Sequence, residues 1–294
     1  MNEAWKDFWA DAEGGSRPTP QWQAIETTQR RFWTTFAALL PKQAKVVDLA
    51  TGDGRVMGWL LAARRDLKLT GIDFAERLPP APRGTRSRGK IRMESLPFPD
   101  ASQDAIVSQF GVEYGDVPQV IAEIRRVLRS RGRVGLIMHS PDGSILDHNR
   151  PRRAALKWVL EEADMLTKAR TGLRLRHLGI VIPPAIAAAP AEAAERFGRN
   201  SVAWDLCAAI SQTFALGRTD PPSEIEKVLT QLERKARNEI GRIDSLEQAC
   251  SRIAERGQLE AQFADAGLRV EQEEALNEDR TARVFGHGWI LRKT

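Results

Sequence analysis

Apolar positions fall into three regimes along this chain. Up to residue 44 they recur at helical spacing: Trp5, Phe8 and Trp9 share one face at i, i+3 and i+4, and Phe32, Trp33 and Phe36 share another. Gly14-Gly15-Ser16-Arg17-Pro18 separates these two helices. From 45 to 140 short apolar runs alternate with amphipathic segments. They predict strands near 45–50, 68–74, 90–94, 103–109 and 132–139, with helices near 54–66 and 117–130. That is the βα alternation of a doubly wound parallel sheet. Between the second and third strands, Leu78-Pro79-Pro80-Ala81-Pro82-Arg83-Gly84 cannot sustain a crossover helix, because each proline removes a backbone donor and restricts the residue before it. A loop or one short turn is expected there.

The third regime follows Ser140-Pro141-Asp142-Gly143 and is helical. Leu156, Val159, Leu160 and Ala163 recur at helical spacing, as do Ile225, Leu229, Leu232 and Ala236, with Pro183-Pro184 and Pro221-Pro222 as punctuation. Ala185 to Ala194 reads as an alanine-rich helix interrupted by Pro190. The pattern then returns to a helix near 247–266 and two late strands, Leu268–Glu271 and Arg283–Leu291.

The chemistry concentrates at the first strand. Val46-Val47-Asp48-Leu49-Ala50-Thr51-Gly52-Asp53-Gly54-Arg55 is a buried strand, a tight small-residue turn and a helix start. The second strand, Lys68-Leu69-Thr70-Gly71-Ile72-Asp73-Phe74, ends in a carboxylate about twenty residues on, where an acid grips a ribose hydroxyl in dinucleotide-type folds. A nicotinamide or flavin fingerprint needs a third small residue, but that place is Met57 and Gly58 comes one residue late. Asp53 also puts an acid where a pyrophosphate would sit on the helix amides. A nucleoside-bearing cofactor without that anion is implied.

With the downstream segments included, the chain resembles the class I S-adenosylmethionine-dependent methyltransferases, in particular the type 11 group with an L-P-F-P-D signature before the fourth strand. The matching residues are Val46–Gly54, Gly71-Ile72-Asp73, Met93-Glu94-Ser95-Leu96-Pro97-Phe98-Pro99-Asp100, Ser102–Phe110 and Ile124-Arg125-Arg126-Val127-Leu128. The resemblance implies a Rossmann-like seven-stranded sheet completed by the last helix and an antiparallel pair. N-terminal helices over 1–44 would cover the cofactor site, the core would take 45–146 and 247–294, and a helical substrate cap over 147–246 would be inserted after the fifth strand. It implies S-adenosyl-L-methionine as cofactor. Ala50, Thr51 and Gly52 would face its methionine end, with Gly54 completing the turn, and Asp73 would accept both ribose hydroxyls beside Phe74. Gln109, Phe110 and Tyr114 would line the cofactor after the fourth strand, and Trp9 would close over it. Relatives carry an acid where this chain has Arg92, so adenine recognition would pass to Glu94 or main-chain groups, with Met93 packing on the ring.

Methyl transfer from a sulfonium needs neither metal nor covalent enzyme intermediate, only in-line placement in a site that excludes water. An acceptor that must lose a proton needs a base near the carboxyl ends of the strands. His139, His148 and Glu113 are the candidates, with Asp142 and His287 behind them. A histidine at a strand end also serves as a structural hydrogen-bond partner. The acceptor expected is a small molecule or peptide methylated on oxygen or nitrogen.

Composition changes this picture little. The 294 residues, 42% hydrophobic, suffice for a full core. A net charge of +5 and clusters at Arg83-Arg86-Arg88-Lys90-Arg92 and Arg125-Arg126-Arg129-Arg131-Arg133 admit an RNA substrate. No aromatic residues interleave these clusters as a stacking platform, and the chain shows no appended RNA-binding module. Arginine-rich solvated helix faces account for them equally. Cys207 and Cys250 lie far apart with no Cys-x-x-Cys pair, which argues against a disulfide framework or zinc site and for a reducing cytoplasm. No apolar run approaches a membrane span. A homodimer, with the N-terminal helices swapped onto a partner subunit, and a non-catalytic cofactor-binding scaffold stay open.

Overall fold

The computed structural model describes residues 20–175, 182–279 and 281–294. Trp5, Phe8 and Trp9 lie outside them. Residues up to Leu146 together with Ser245–Thr294 form one compact unit, and Asp147–Asp244 form a second.

Among the described residues, the first unit runs from α1 (Pro20–Ala38) to β1 (Lys45–Leu49), α2 (Arg55–Ala63), β2 (Lys68–Ile72), β3 (Arg86–Arg88) and β4 (Gln103–Gln109). A 3₁₀ turn (Val112–Tyr114), α3 (Val117–Val127) and β5 (Leu128–His139) come next. The seven-stranded sheet has the order β3-β2-β1-β4-β5-β7-β6, where β6 is Leu268–Asn277 and β7 is Val284–Lys293. Strands β1 to β5 are parallel, and β7 runs antiparallel to both neighbours. Strand order reverses between β1 and β4, and ligands of open α/β sheets bind outside the strand ends at such a point.

Period-2 alternation sorts the strand residues onto two covered faces. Val46, Val107, Ile137 and Ile290 pack on one side with Phe32, Trp33 and Phe36 of α1 and Met57 and Leu60 of α2. Their neighbours Val47, Ile106, Leu136 and Leu291 pack on the other with Val120, Ile121 and Ile124 of α3. Each fully buried side chain of this size contributes roughly 1.5–3 kcal/mol. Helix α3 starts where Asp116 accepts the amide of Gln119, with Pro118 in the first turn where its missing donor costs nothing.

Four boundaries differ from the sequence pattern by more than three residues, among them β6, which runs past Glu271 to Asn277. The third strand is at Arg86–Arg88, not 90–94. The 78–84 segment does form a loop, and the chain then pairs with β2 immediately, so Met93, buried, and Ile91, partly buried, lie in a loop instead of a strand. Strand β5 starts at Leu128, four residues early, and its pairing with β4 jumps from Leu128 to Arg133 around Arg131, whose φ is 63°. The expected helix at 247–266 is the end of one helix and all of another. Helix α8 (Pro222–Arg252) ends in tightened bonds from Ile253 N to Cys250 O and Ala254 N to Ser251 O, and α9 (Arg256–Asp265) starts afresh.

The second unit is helical. It takes most of α4 (Ser144–Lys157), a π turn (Trp158–Glu162), α5 (Met165–Arg174), α6 (Pro184–Phe197), α7 (Val202–Leu216) and the first part of α8. Its own core holds Val159, Ala169, Ile186, Ala189, Cys207, Phe214, Ile225 and Leu229. Helix α6 runs unbroken through Pro190, because full burial of Ile186, Ala189 and Ala193 outweighs the roughly 3 kcal/mol of an interior proline. Burial pushes the Cys207 thiol up to about 12, which makes it inert. No described helix is long and apolar enough to cross a membrane.

Candidate active site

The turn after β1 is built by backbone conformations that few residues adopt. Ala50, Gly52 and Gly54 have φ of 54°, 53° and 74°, and Thr51 donates its amide to Ile72 O at 3.0 Å, pinning the turn to the end of β2. Pro82 of the irregular crossover packs on Gly54, where a Cβ would stand 2.7 Å from its Cδ. The loop therefore braces the turn that the missing crossover helix would otherwise flank.

Two buried acids stand beneath and beside this turn. Asp73 is 4% exposed; Oδ2 accepts Gly52 N at 3.0 Å and Oδ1 accepts Ala75 N at 2.9 Å. Burial raises its carboxyl above the ordinary carboxylate range, opposed by backbone N–H bonds from Ala75, Gly52 and Phe74. Each oxygen keeps acceptor capacity for a further donor. Asp48, in the middle of β1, is 1% exposed, and burial pushes its carboxyl up to about 7 despite the 2.6 Å hydrogen bond donated by Thr51 Oγ1. The neighbouring Asp73 and Asp53 push it in the same direction. Sequence reading passed over Asp48 as a site residue, although an acid inside an apolar strand was the available signal.

Asp53 accepts the Arg55 amide at 3.0 Å and forks onto the Arg55 guanidinium, so an acid already occupies the helix N-terminus. A pyrophosphate has no place there. A buried acid with spare lone pairs beside a strained small-residue turn, and no anion site on the helix, fits an adenosyl group on a cationic sulfur.

At the other side of the switch point, Phe110 follows β4 with φ 54°. A Cβ on Gly111 would come within 2.8 Å of Ala50 Cβ, so only glycine lets the two strand ends approach this closely. Phe110 stacks on the His139 ring at 4.1 Å and 27°. His139, at the end of β5, is buried, and its Nδ1 lies 2.9 Å from Glu113 Oε1. Glu113 is 0% exposed; the same oxygen accepts the His139 amide at 3.0 Å, while Oε2 is buried with no hydrogen-bond partner among the described residues. Tyr114 meets His139 edge-on, with ring centroids 5.9 Å apart. An imidazole held at Nδ1 by a carboxylate presents Nε2 as its remaining acceptor, the arrangement of a positioned base.

The remaining candidates are placed as follows. Gln109 accepts the Trp33 indole N–H at 2.8 Å, which ties α1 to the end of β4. Met93 is packed in the core cluster with Leu49 and Ile72. Glu94 accepts Asp116 N at 3.1 Å and faces Arg92 Nε at 3.5 Å, and the Arg92 guanidinium lies over the Phe74 ring at 5.9 Å. His148 belongs to the helical unit. His287 pairs with Glu273 at 2.8 Å. Within the second basic cluster, Arg126 pairs with Asp100 and Glu123, Arg129 with Asp104 and Arg133 with Glu271, so much of its charge is already neutralised.

Residues 47–136 match the family model described as a methyltransferase domain. Over 97 residues the chain is 35% identical to a demethylmenaquinone methyltransferase of Thermotoga maritima, covering 32% of this chain and 42% of that protein. Over 125 residues it is 33% identical to the demethylmenaquinone methyltransferase of Deinococcus radiodurans, covering 39% and 52%. The chain spans about half the length of the curated relatives it matches. Among solved structures, a chain from the complex between the Haloferax volcanii Trm112 methyltransferase activator and a methyltransferase aligns over 100% of this chain and 98% of its own, with 13% identity and a TM-score of 0.49. The match spans β1 to most of β5, so residues 47–136 are similar to a methyltransferase domain and lie on a seven-stranded sheet of that domain's α/β kind.

Proposed function

We propose that this protein transfers the methyl group of S-adenosylmethionine directly and in line to a small-molecule or peptide acceptor, on oxygen or nitrogen. The observation that carries this reading is the buried Glu113–His139 pair, joined to the cofactor turn through Phe110, Gly111 and Ala50. The cofactor supplies an electrophilic methyl on a sulfonium. Asp73 binds the ribose, and the backbone of Ala50–Gly52 lines the methionine end. His139 Nε2 takes the acceptor's proton as the acceptor attacks, while Glu113 holds Nδ1–H and offsets the charge that develops on the ring. The Phe110 ring, stacked on His139, keeps water from the reacting atoms.

The helical unit is the acceptor-recognition element in this reading. Along the chain it is inserted between the end of β5 and the last turns of α8, and it has a core of its own. Similarity to proteins named as demethylmenaquinone methyltransferases supports the small-molecule end of the range. A carbon acceptor activated through a neighbouring hydroxyl makes the same demand on His139. The ion-paired arginines of the basic cluster weigh against RNA, and a reducing cytoplasm suits the two buried thiols.

The test is a calorimetric titration with S-adenosylhomocysteine, with NADH as control ligand, followed by an acceptor screen with product analysis. Micromolar binding of S-adenosylhomocysteine alone is expected. Binding of NADH instead, or of neither, overturns the reading.

A further inference from the structure

The carbonyls at the end of a short 3₁₀ turn have no donors within the turn itself. In Val112–Tyr114 the internal bonds run from Tyr114 N to Gly111 O and from Gly115 N to Val112 O, which leaves the carbonyls of Glu113 and Tyr114 facing outward. Arg252 Nη1 reaches both, at 3.3 Å and 3.1 Å. Two residues earlier on the same helical turn, Cys250 Sγ lies 3.9 Å from the carbonyl of Ser140, the residue that follows His139. The last turn of α8 therefore touches both halves of the Glu113–His139 pair, gripping the backbone that carries the acid and packing on the backbone beside the base. Glu113 is wholly buried, with one oxygen unpartnered among the described residues, so its direction rests on the turn that bears it and on the bonds to His139.

We infer that Arg252 is a positioning residue for the Glu113–His139 pair, and that α8, which starts inside the inserted helical unit at Pro222, is the element that sets this alignment. The inference rests on the methyl-transfer reading for its chemical meaning, but not for its measurement. Both bonds come from the one Nη1, so two successive carbonyls of the turn are tied to a single point on α8. Loss of the clamp lets the Glu113 carboxylate swing relative to Nδ1 and frees the imidazole to populate its other tautomer. Within the first unit α4 starts at Ser144, five residues after His139.

The experiment is a ¹H–¹⁵N long-range correlation spectrum of the full chain labelled at histidine nitrogens, with His139→Gln used for assignment. Wild type is expected to show His139 as one tautomer protonated at Nδ1. Arg252→Met is expected to give a mixed or broadened His139 pattern while His287, held by Glu273, stays unchanged, and Arg252→Lys is expected to recover part of the wild-type signal. Glu113→Gln is the positive control. An unchanged His139 signal in a folded Arg252→Met protein overturns the inference, as does equal disturbance of His287, which would mark general loosening. Failure of the methyl-transfer reading shows separately, as absence of S-adenosylhomocysteine binding in wild type.

Discussion

Oε1 of Glu113 accepts two bonds from His139, one from the amide at 3.0 Å and one at Nδ1 at 2.9 Å. The amide bond fixes the acid against the strand end and the ring bond fixes the imidazole. Glu113→Gln keeps the shape but weakens both bonds and lets the ring take either tautomer. For an acceptor that needs deprotonation, kcat is expected to fall about 10²–10⁴-fold with little change in KM. Steady-state kinetics on the acceptor found by screening checks this, and a change confined to KM would remove the pair from the chemical step.

Asp73 joins the turn after β1 to the loop after β2 through Gly52 N and Ala75 N. Asp73→Ala removes the proposed ribose acceptor and orphans two buried amides. S-adenosylhomocysteine affinity is expected to drop at least about a hundredfold, since each lost charge-assisted bond costs about 1.5–3 kcal/mol. Urea unfolding is expected to show a further loss of roughly 1–3 kcal/mol. Retained micromolar binding by calorimetry would move the ribose away from Asp73.

Arg126 explains why two separated motif segments travel together. From α3 it donates to the carbonyls of Leu96 and Phe98, both at 2.9 Å, and pairs with Glu123 and Asp100, while Glu123 accepts Leu96 N at 2.6 Å. One forked guanidinium thus clips the whole Leu96–Asp100 segment to the helix. Arg126→Ala is expected to cost about 1–3 kcal/mol, and Arg126→Lys to restore less than half, because an ammonium cannot fork. Urea midpoints at unchanged slope give the values; a neutral Arg126→Ala would make the clip decorative.

Legibility in the sequence follows the range of the interactions. The β1 turn, Asp73 and the alternating strands are local patterns, and they fall where the apolar spacing puts them. Strand β3 was not legible: Arg86-Ser87-Arg88 is short and polar, pairs with β2 at the sheet edge, and carries no apolar run to read. The neighbouring Ile91 and Met93 supplied the misleading signal, since a buried loop and a buried strand look alike over a few residues. His139 and Glu113 each stood out as strand-end chemistry, but their pairing, 26 residues apart, did not. Arg252 lies 139 residues from the carbonyl it holds, and an arginine at a helix end has no local feature that points to such a partner.

Asp48 gives the fold a pH dependence of definite sign. Its carboxyl, ordinarily at 3.8, is pushed to about 7 by burial, so the folded chain holds this proton more tightly than the unfolded chain. The stability this contributes is fully present below about pH 4 and is lost as pH rises through 7. Asp48→Asn keeps an acceptor for Thr51 Oγ1 and removes the charge. Between pH 5 and pH 8 the wild type is expected to lose stability relative to Asp48→Asn by about 1–4 kcal/mol. Asp73, also raised by burial, acts in the same direction in both proteins, and the repulsion between the two carboxylates, present only in wild type, adds to the difference. Urea unfolding of the pair at pH 5, 6, 7 and 8 reads this directly. Parallel curves would mean that Asp48 stays ionised in the fold and that water or a further donor reaches it beneath the turn.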